Sequence, residues 1–277
     1  MLVIESYAPN FFIIFKMIKL NLKNLILSTP ISLIFLFSLS FSQAEDLVLH
    51  LEFDKLSGLI VKDKSDQNNH AIFNFHPKII KGPLGDNAVA LNATSWAKVE
   101  DNNSLDLMEK FTIEAWVLTR SEEKQIIVEK GSTWNRDGEF ALLFYTNRRP
   151  VVQARDLPDN CDDEAVGTAI KANTWTHLAG TWDSKTFRLF INGEENINLP
   201  CAGKLLESQE DLFIGSRGGS LRFLDGSIDD LRIYNYALNL KQIKLDMAKK
   251  MVVQKADKIS TSWARIKNNF FDFAPFD

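Results

Sequence analysis

Apolar and polar residues alternate one by one through most of the chain after residue 45. In residues 47–54 every second residue from Leu47 to Phe53 is apolar, and the residues between them are mostly polar. A two-residue period is typical of a β-strand with one buried face. The same period predicts strands at Ala71–Phe75, Ala88–Asn92, Trp96–Glu100, Phe111–Thr119, Gln125–Lys130, Phe140–Thr146, Val151–Arg155, Thr176–Trp182, Phe187–Ile191, Leu212–Gly215 and Ser227–Tyr234. Many short strands with no helical window between them predict an all-β antiparallel sandwich or barrel.

The period changes near Asn239. Asn239 and Gln242 form a capping box, and apolar residues then recur at spacings of three and four. The pattern predicts one or two helices over residues 239–269. We favour packing of their apolar stripe on the sandwich. Contact with a partner, including self-association through this C-terminal helix, is the alternative.

The first 44 residues have the order of an export signal. A basic stretch with Lys19 and Lys23 precedes an apolar run from Leu25 to Phe41, and Ser42-Gln43-Ala44 offers a cleavage site. A membrane anchor is the alternative, but Pro30, several serines and the adjacent cleavage site disfavour a stable membrane span. We therefore expect removal of residues 1–44, a secreted chain (extracellular or periplasmic), a β domain at 45–238 and a helical extension at 239–277. Met17 opens a signal of its own, so residues 1–16 are interpreted as an upstream leader.

Charge and cysteine content narrow the class of partner. Residues 45–238 hold 21 Lys and Arg against 31 Asp and Glu, a net charge of −10, whereas residues 239–277 carry +4. An acidic domain is a poor nucleic-acid binder, because phosphate binding needs a basic face. The two cysteines, Cys161 and Cys201, predict one disulfide in an exported chain, with two buried free thiols as the alternative.

Several segments resemble laminin G-like jelly-roll domains of the concanavalin A-like lectin/glucanase superfamily. The opening hairpin is similar in its Phe53-Asp54, Gly58 and Asp63. Later segments follow in the family's order: FTIEAWV at 111–117, WTHLAGTWD at 175–183, FRLFINGE at 187–194, LFIGSR at 212–217 and FLDGSIDDLRIYNYAL at 223–238. The likeness covers about residues 46–246. It implies a concanavalin A-like jelly roll of two antiparallel sheets, closed by pairing of its first and last strands.

The resemblance also implies a calcium ion where the first hairpin meets the last strand. Carried over residue by residue, it nominates Asp229, with Asp54 and Asp63 as companions. Calcium takes six to eight oxygen ligands, so side chains supply only part of such a site. The alternative is that Asp229 caps a turn and pairs with Arg232.

Loop residues suggest how a sugar would be held. Sugars stack on aromatic faces and take hydrogen bonds from Asn, Asp and Arg, and binding residues usually lie on loops. The candidates are Trp134, Asn135, Arg136, Arg148 and Arg155. We therefore expect a binding module whose ligand is carbohydrate or, as an alternative, an extracellular protein.

Catalysis has little support in the sequence. The Glu-x-Asp-x-Glu string of related hydrolases is missing, and no His-Glu-x-x-His occurs. Glu114 and Glu129 are the remaining glycosidase candidates, because they could face one sheet surface, but isolated strand glutamates are more often solvated. His177, inside a strand, is interpreted as a hydrogen-bonded structural residue. The sequence predicts a non-catalytic protein.

Overall fold

A computed structural model describes residues 46–131, 139–155, 157–158, 161 and 163–248. The interpretations of residues 1–44, of Trp134, Asn135 and Arg136, and of the helical pattern beyond residue 248 lie outside the described residues. Within the described part, two antiparallel sheets and a C-terminal helix confirm the predicted all-β class.

The strands keep the two-residue period that the sequence predicts. In chain order they are β1 (Leu47–Leu51), β2 (Leu56–Ser57), β3 (Ile60–Val61), β4 (Ala71–Phe73), β5 (Lys78–Lys81), β6 (Asn87–Leu91), β7 (Ala97–Val99), β8 (Phe111–Thr119), β9 (Gln125–Lys130), β10 (Phe140–Tyr145), β11 (Arg149–Ala154), β12 (Glu164–Val166), β13 (Thr176–Trp182), β14 (Thr186–Ile191), β15 (Glu194–Pro200), β16 (Leu212–Ile214) and β17 (Gly226–Tyr234). Short 3₁₀ helices cover Asn103–Leu105 and Thr146–Arg148.

The strands form two layers. The back sheet has the order β15-β14-β13-β8-β17-β6-β5, with β1 also pairing to β17. The front sheet has the order β12-β11-β10-β9-β16-β7-β4-β3-β2. We call the face of each sheet that points away from the other sheet its outer face.

The core between the sheets is apolar and rich in aromatic rings. Trp182 lies 5.8 Å from Phe187 and 6.0 Å from Phe111, between ring centroids. Phe111, from the back sheet, stacks at 5.4 Å on Phe140 of the front sheet. All four rings are fully buried. Aromatic pairs of this kind add about 0.5–1.5 kcal/mol each beyond the burial of their area, and they join the two layers.

Strand β17 closes the sandwich and contains a β-bulge. Its pairing with β1 confirms the expected contact between the first and last strands. Along β8, the register moves from Asp229 opposite Trp116 to Arg232 opposite Glu114, and Asp230 has a φ of 52°. The extra residue reverses the normal alternation, because two residues of one strand oppose one of the other. Asp229 and Arg232 therefore share the outer face of the back sheet.

The helix at residues 240–248, α1, begins at the predicted capping box. The Asn239 N–H donates to Gln242 Oε1 at 2.9 Å, and Asn239 Oδ1 accepts from the Gln242 N–H at 3.1 Å. Ile243 of α1 packs with Phe190 and Tyr234 on the back sheet. This part of the extension packs on the sandwich as expected, while self-association stays a prediction. None of the helical segments in the described part has the length and apolarity that a bilayer crossing requires.

Cys161 and Cys201 form the predicted disulfide, with their Cα atoms 4.9 Å apart. Cys161 precedes β12 of the front sheet, and Cys201 directly follows β15 of the back sheet. The Cys201 carbonyl also accepts a hydrogen bond from Trp182 Nε1 at 3.1 Å. The bridge therefore ties an edge of each sheet to the aromatic core.

Loss of this bridge should lower the free energy of unfolding. Closing a loop between residues 40 apart in sequence restricts the unfolded chain, which is worth about 3–4 kcal/mol. We expect that loss for Cys161→Ser/Cys201→Ser in urea denaturation followed by tryptophan fluorescence. The wild-type protein in dithiothreitol should match the double variant, and a loss below about 1 kcal/mol would show that the bridge adds little.

Candidate ligand-binding and metal sites

One row of side chains crosses the outer face of the front sheet at right angles to its strands. Gln153 lies opposite Ala141, and Ala141 lies opposite Glu129. The row extends to Glu164 on one side and to Phe213 on the other. Neighbouring strands are about 4.8 Å apart, so the backbones at Gln153 and Glu129 are about 10 Å apart. Ala141, which is fully buried, lies between them.

An apolar floor lies beside this row on the same face. Ile126, Ala141, Leu143 and Val151 form a separate buried cluster, which Tyr145 and Val166 cover at its edge. They belong to β9, β10, β11 and β12, the same four strands that carry the polar row. The four residues of the cluster are fully buried, and the half-buried Tyr145 and Val166 bring apolar side chains to the surface next to the hydrogen-bonding row.

Glu129 is held by Arg217. The Arg217 Nε donates to Glu129 Oε2 at 2.9 Å, and its second nitrogen binds Glu129 Oε1, with both side chains buried. Burial raises the pKa of the Glu129 carboxyl, and the hydrogen bonds from Arg217 oppose that rise. Such a forked pair fixes both groups in one geometry. Glu129 therefore anchors the turn after β16 to the sheet.

Gln153 is fully buried, yet its side-chain oxygen and nitrogen have no hydrogen-bond partner among the described residues. A carboxamide offers one acceptor and two donor hydrogens. Leaving such a buried group unpaired costs about 1–3 kcal/mol, and a ligand that supplies both a donor and an acceptor recovers it. Sugar hydroxyls supply both. Gln153 is therefore the side chain on this face best suited to bind a polyol.

One corner of the outer face is basic. Lys124 directly precedes β9, and its Nζ lies 3.9 Å from the ring centroid of Tyr145. Burial, followed by a hydrogen bond with Glu164, raises the pKa of Tyr145, so this hydroxyl stays protonated. Arg222 reaches the same corner, since its carbonyl accepts the Ile126 N–H at 2.9 Å. Lys124, Tyr145 and Arg222 are half-buried, so solvent reaches this corner.

The structure separates the predicted ligand residues that it describes. Arg148 and Arg155 flank opposite ends of β11, roughly 20 Å apart along the strand. Arg148 forms an ion pair with Glu122 at 2.6 Å and donates to the Ile170 carbonyl at 3.3 Å. The Arg155 N–H donates to the Glu139 carbonyl at 2.8 Å. The two arginines therefore cannot contact the same sugar unit.

Two carboxylates converge beside the bulge of β17. A Cβ atom on Gly82 would lie 2.6 Å from Asp229 Oδ2 and 2.9 Å from Asp86 Oδ1, so both oxygens line one small space that only glycine leaves open. Asp229 is fully buried. Asp54 lies next to this space, because its carboxylate accepts the Asn87 N–H at 3.2 Å. This arrangement has the hard oxygens that calcium prefers.

Asp63 has a different role. Its carboxylate accepts hydrogen bonds from the N–H groups of His50, Ser65 and Asn69 at 2.8–2.9 Å. These bonds fold the first hairpin onto β1. Across the described residues, no three His, Cys, Asp or Glu side chains lie close enough to hold a metal by themselves. An ion beside Asp229 would therefore take further ligands from carbonyl groups or water.

The alternative that Asp229 pairs with Arg232 is wrong. The Arg232 guanidinium pairs with Asp230 at 2.8 Å and approaches Glu114 at 3.5 Å. The β17 bulge places Asp230 beside Arg232, and this leaves Asp229 with Gly82.

Glu114 and Glu129 do not share one surface, and neither is solvated. Glu114 belongs to β8 in the back sheet and Glu129 to β9 in the front sheet, and both are fully buried. Because the strand period says which residues share a face but not which sheet a strand joins, this expectation was wrong. Burial raises the pKa of Glu114 well above its usual value, with Arg232 opposing.

His177 lies beside Glu114, with its Nε2 3.8 Å from Glu114 Oε2. Its Nδ1 has no hydrogen-bond partner among the described residues, so the interpretation as a hydrogen-bonded histidine is wrong. Burial and, after it, the charge of Arg232 lower the pKa of His177 to about 4. The imidazole is therefore neutral at pH 7.

Sequence reasoning missed four residues of the front-sheet face and one of the metal space: Gln153, Arg217, Lys124, Arg222 and Asp86. Gln153 had a signal, since it is the single amide in the apolar run at residues 150–154. Arg217 and Arg222 lie in a glycine-containing connection after β16, where the sequence shows a turn but not which strand the turn covers. The positions of these residues depend on tertiary packing.

Comparisons with known proteins agree with the fold. Residues 91–244 match the Laminin_G_3 family, described as concanavalin A-like lectin/glucanases superfamily. A comparison with curated protein sequences gives no match.

Solved structures with the same architecture include a domain crystallised with a sugar. Domain 4 of AbnA, a GH43 extracellular arabinanase from Geobacillus stearothermophilus in complex with arabinotriose, aligns with a TM-score of 0.58 and 19% identity over 73% of this chain and 98% of that chain. The binding domain of Paraclostridial Mosquitocidal Protein 1 aligns with a TM-score of 0.57 and 18% identity, over 72% of this chain and 51% of that chain.

Trypanosoma rangeli sialidase in complex with the inhibitor DANA gives a TM-score of 0.52 and 15% identity, over 74% of this chain. The present chain spans about half the length of the mosquitocidal domain and a third of the sialidase. At such identities the likeness establishes the two-sheet jelly roll alone.

The buried His177 predicts acid sensitivity. Its pKa is about 4 in the folded chain and about 6.5 when unfolded. The neutral ring therefore contributes up to about 3 kcal/mol to the free energy of unfolding above pH 6.5, and this contribution is lost as the pH falls towards 4. Glu114 has the opposite effect on the pH dependence of the unfolding free energy. Its raised pKa favours the protonated form in the folded chain, so its contribution grows as the pH falls.

We expect His177→Gln to flatten the fall in unfolding free energy between pH 6.5 and 4.5, measured by urea denaturation at several pH values. The exposed His76 is the matched control, and His76→Gln should keep the wild-type slope. If His177→Gln kept the wild-type dependence of unfolding free energy on pH, His177 would not be the source of the acid sensitivity.

Proposed function

The chain belongs to the Laminin_G_3 family of the concanavalin A-like lectin/glucanase superfamily, and from this premise we propose that it is a non-catalytic, secreted module that binds carbohydrate. The ligand lies on the outer face of the front sheet, at the half-buried Tyr145 and Val166 beside the apolar floor. A calcium ion beside Asp229 has a structural role in the same domain.

The observation that carries this proposal is the buried, unpartnered side chain of Gln153 next to an apolar floor. Structural amides in a core are normally paired, because an unpaired one destabilises the fold. A ligand-binding site can retain such an unpaired group, because the ligand supplies the missing hydrogen bonds. The arabinanase domain crystallised with arabinotriose shows that this architecture can hold a sugar.

The carboxylate arrangement supports binding without hydrolysis. Glycosidases need two carboxyl groups about 5–9.5 Å apart across the bond that is cut. Glu114 and Glu129 point away from each other on sheets packed about 10 Å apart, so they exceed that range. Glu129 also forms an ion pair with Arg217. A sialidase shares the fold, but the present chain matches only a third of that enzyme.

The oxygens beside Gly82 fit a calcium ion. Asp229 and Asp86 would hold the ion through their carboxylates, with Asp54 next to them. A bound divalent cation would compensate the negative charge that these residues bring together and would fix the β5–β6 turn to β17. The export-like residues 1–44 and the Cys161–Cys201 disulfide support secretion, since disulfides persist in oxidising compartments.

A protein ligand is the second candidate, because apolar side chains are exposed further along the same face. Ile60 and Ile72 pair across β3 and β4 and are 37% and 40% exposed, and Phe75 is 64% exposed. This candidate would be favoured if no glycan on an array bound, while an extracellular protein bound and Ile72→Asp abolished that binding.

Replacing Gln153 should separate stability from binding. In Gln153→Leu the unpaired amide is removed, so we expect the free energy of unfolding to rise by about 1 kcal/mol while glycan affinity falls at least about tenfold. Binding is measured on a glycan array and then by calorimetry. Gln209→Leu, at an exposed position, is the control. Unchanged affinity in Gln153→Leu would contradict the proposed site.

Calcium should raise the melting temperature of the wild-type protein, because an ion that binds only the folded chain stabilises it by about 2.7 kcal/mol at a hundredfold excess over Kd. Asp229→Asn should abolish this shift, measured by scanning calorimetry with calcium or with EDTA. Asp63→Asn should lower stability through its hairpin hydrogen bonds but keep the calcium shift. An identical melting temperature with calcium and with EDTA would overturn the calcium assignment.

A further inference from the structure

We propose that the basic corner formed by Lys124 and Arg222 binds an anionic substituent of the carbohydrate, a carboxylate or a sulfate, so that the ligand is an acidic glycan. This inference rests on the proposed function, because it specifies the chemistry of the ligand at the same face. It adds a charged subsite beside the neutral contacts of Gln153.

The two cations are held in position by the ends of strands. Lys124 lies against the ring of Tyr145, with 3.9 Å between its Nζ and the ring centroid. Arg222 is fixed by the hydrogen bond from the Ile126 N–H to its carbonyl. Its φ of 51° lies in the left-handed region, which costs a residue other than glycine about 1 kcal/mol. The fold keeps this conformation, and the Arg222 guanidinium is near enough to Glu129 and Tyr145 of the front sheet for their charges to affect its pKa.

Neither cation forms an ion pair within the described residues, although the charges of Glu129 and Glu164 act on both. No ion pair or side-chain hydrogen bond joins the Lys124 ammonium or the Arg222 guanidinium to a carboxylate in this part of the chain. Seven other basic side chains in or beside the two sheets form ion pairs. These are Lys98 with Asp211, Arg120 with Asp225, Lys130 with Asp101, Arg148 with Glu122, Arg188 with Asp183, Arg217 with Glu129 and Arg232 with Asp230.

The cations also repel one another. Burial lowers the pKa of Lys124, and the neighbouring charge of Arg222 lowers it further. Burial and the charge of Arg217 lower the pKa of Arg222 in the same way. The nearest carboxylates are committed, Glu129 to Arg217 and Glu164 to Tyr145. An anion at this corner would relieve the repulsion, and charge-assisted hydrogen bonds to it are stronger than neutral ones.

The corner adjoins the proposed sugar site. Tyr145 packs on the apolar floor, and its partner Glu164 lies opposite Gln153 in the cross-strand row. A sugar ring beside the half-buried Tyr145 would therefore bring a carboxylate or sulfate substituent to Lys124 and Arg222. The acidic charge of the remaining domain would disfavour the same ligand elsewhere on the surface.

A glycan array with neutral, uronic-acid-containing and sulfated oligosaccharides tests the inference, followed by calorimetric titration with the tightest ligand of each class. We expect an acidic glycan to bind at least about tenfold more tightly than a neutral one, because a charge-assisted hydrogen bond contributes that much. The difference should shrink as salt rises from 50 to 500 mM. Binding of carboxylated but not sulfated glycans, or the reverse, identifies the anion.

Single substitutions test whether Lys124 and Arg222 cause the preference for acidic glycans. Arg222→Gln and Lys124→Gln should each weaken acidic-glycan binding about tenfold and leave neutral-glycan binding unchanged. Neither side chain forms an ion pair with another described residue, so the melting temperature should stay near the wild-type value. Arg188→Gln and Lys185→Gln, at or beside β14 in the back sheet, are the matched controls and should keep wild-type affinity.

The outcomes separate the two claims. Neutral glycans that bind as tightly as acidic ones, or acidic-glycan affinity that Arg222→Gln and Lys124→Gln both leave unchanged, would overturn the anion site and leave the carbohydrate-binding function standing. Failure of every glycan class to bind would overturn the proposed function, and the anion site with it.

Discussion

The two-residue repeat of the strands sets the face that each side chain occupies, and register shifts in β17 and β9 change that face for several charged residues. In β17 the bulge turns both Asp229 and Arg232 outwards. In β9 the register shift across from β10 leaves Ile127 and Val128 both in the core, so that Glu129 faces outwards. Without these interruptions the charged groups would point into the core, at a cost of several kcal/mol each. Every candidate site follows from this constraint.

The two outer faces use their polar groups differently. On the back sheet, Arg232 lies between Asp230 and Glu114, and its guanidinium donates to the Asp246 carbonyl of α1 at 3.2 Å. Tyr234 donates to Asp246 Oδ2 at 2.7 Å. Opposite charges are thus matched beneath a helix, as expected of a structural network. Buried groups without a hydrogen-bond partner among the described residues occur on both sheets, with His177 Nδ1 on the back sheet and Gln153 on the front sheet. We place recognition on the front sheet because Gln153 lies there beside an apolar cluster and the basic corner of Lys124 and Arg222.

Much of the fold follows from the sequence, because alternation is a local property. The strands at Phe111–Thr119, Gln125–Lys130 and Thr176–Trp182 have the predicted bounds. The edge strand β15 was missed, since most of Glu194–Pro200 is exposed or half-buried and carries no buried apolar face. The disulfide and the capping box were predicted because few residues are involved and their chemistry is specific.

The candidate site was less predictable, because it depends on which strands become neighbours. Glu129 and Gln153 are 24 positions apart in sequence, and they meet only through the pairing of β9, β10 and β11. Sequence reasoning favoured loop residues for binding, whereas the unpaired groups lie on strands and on short turns beside them. Asp229 was nominated by resemblance, but Asp86 reaches it only through the β5–β6 turn.

The central claim is that the outer face of the front sheet receives the ligand. The most direct measurement is a ¹⁵N-HSQC titration of the processed chain with the glycan that binds most tightly in an array. We expect shifts confined to residues of β9 to β12 and to the side-chain amide of Gln153. Shifts restricted to the back sheet or to the loops around Asp229, with the Gln153 amide unchanged, would contradict it.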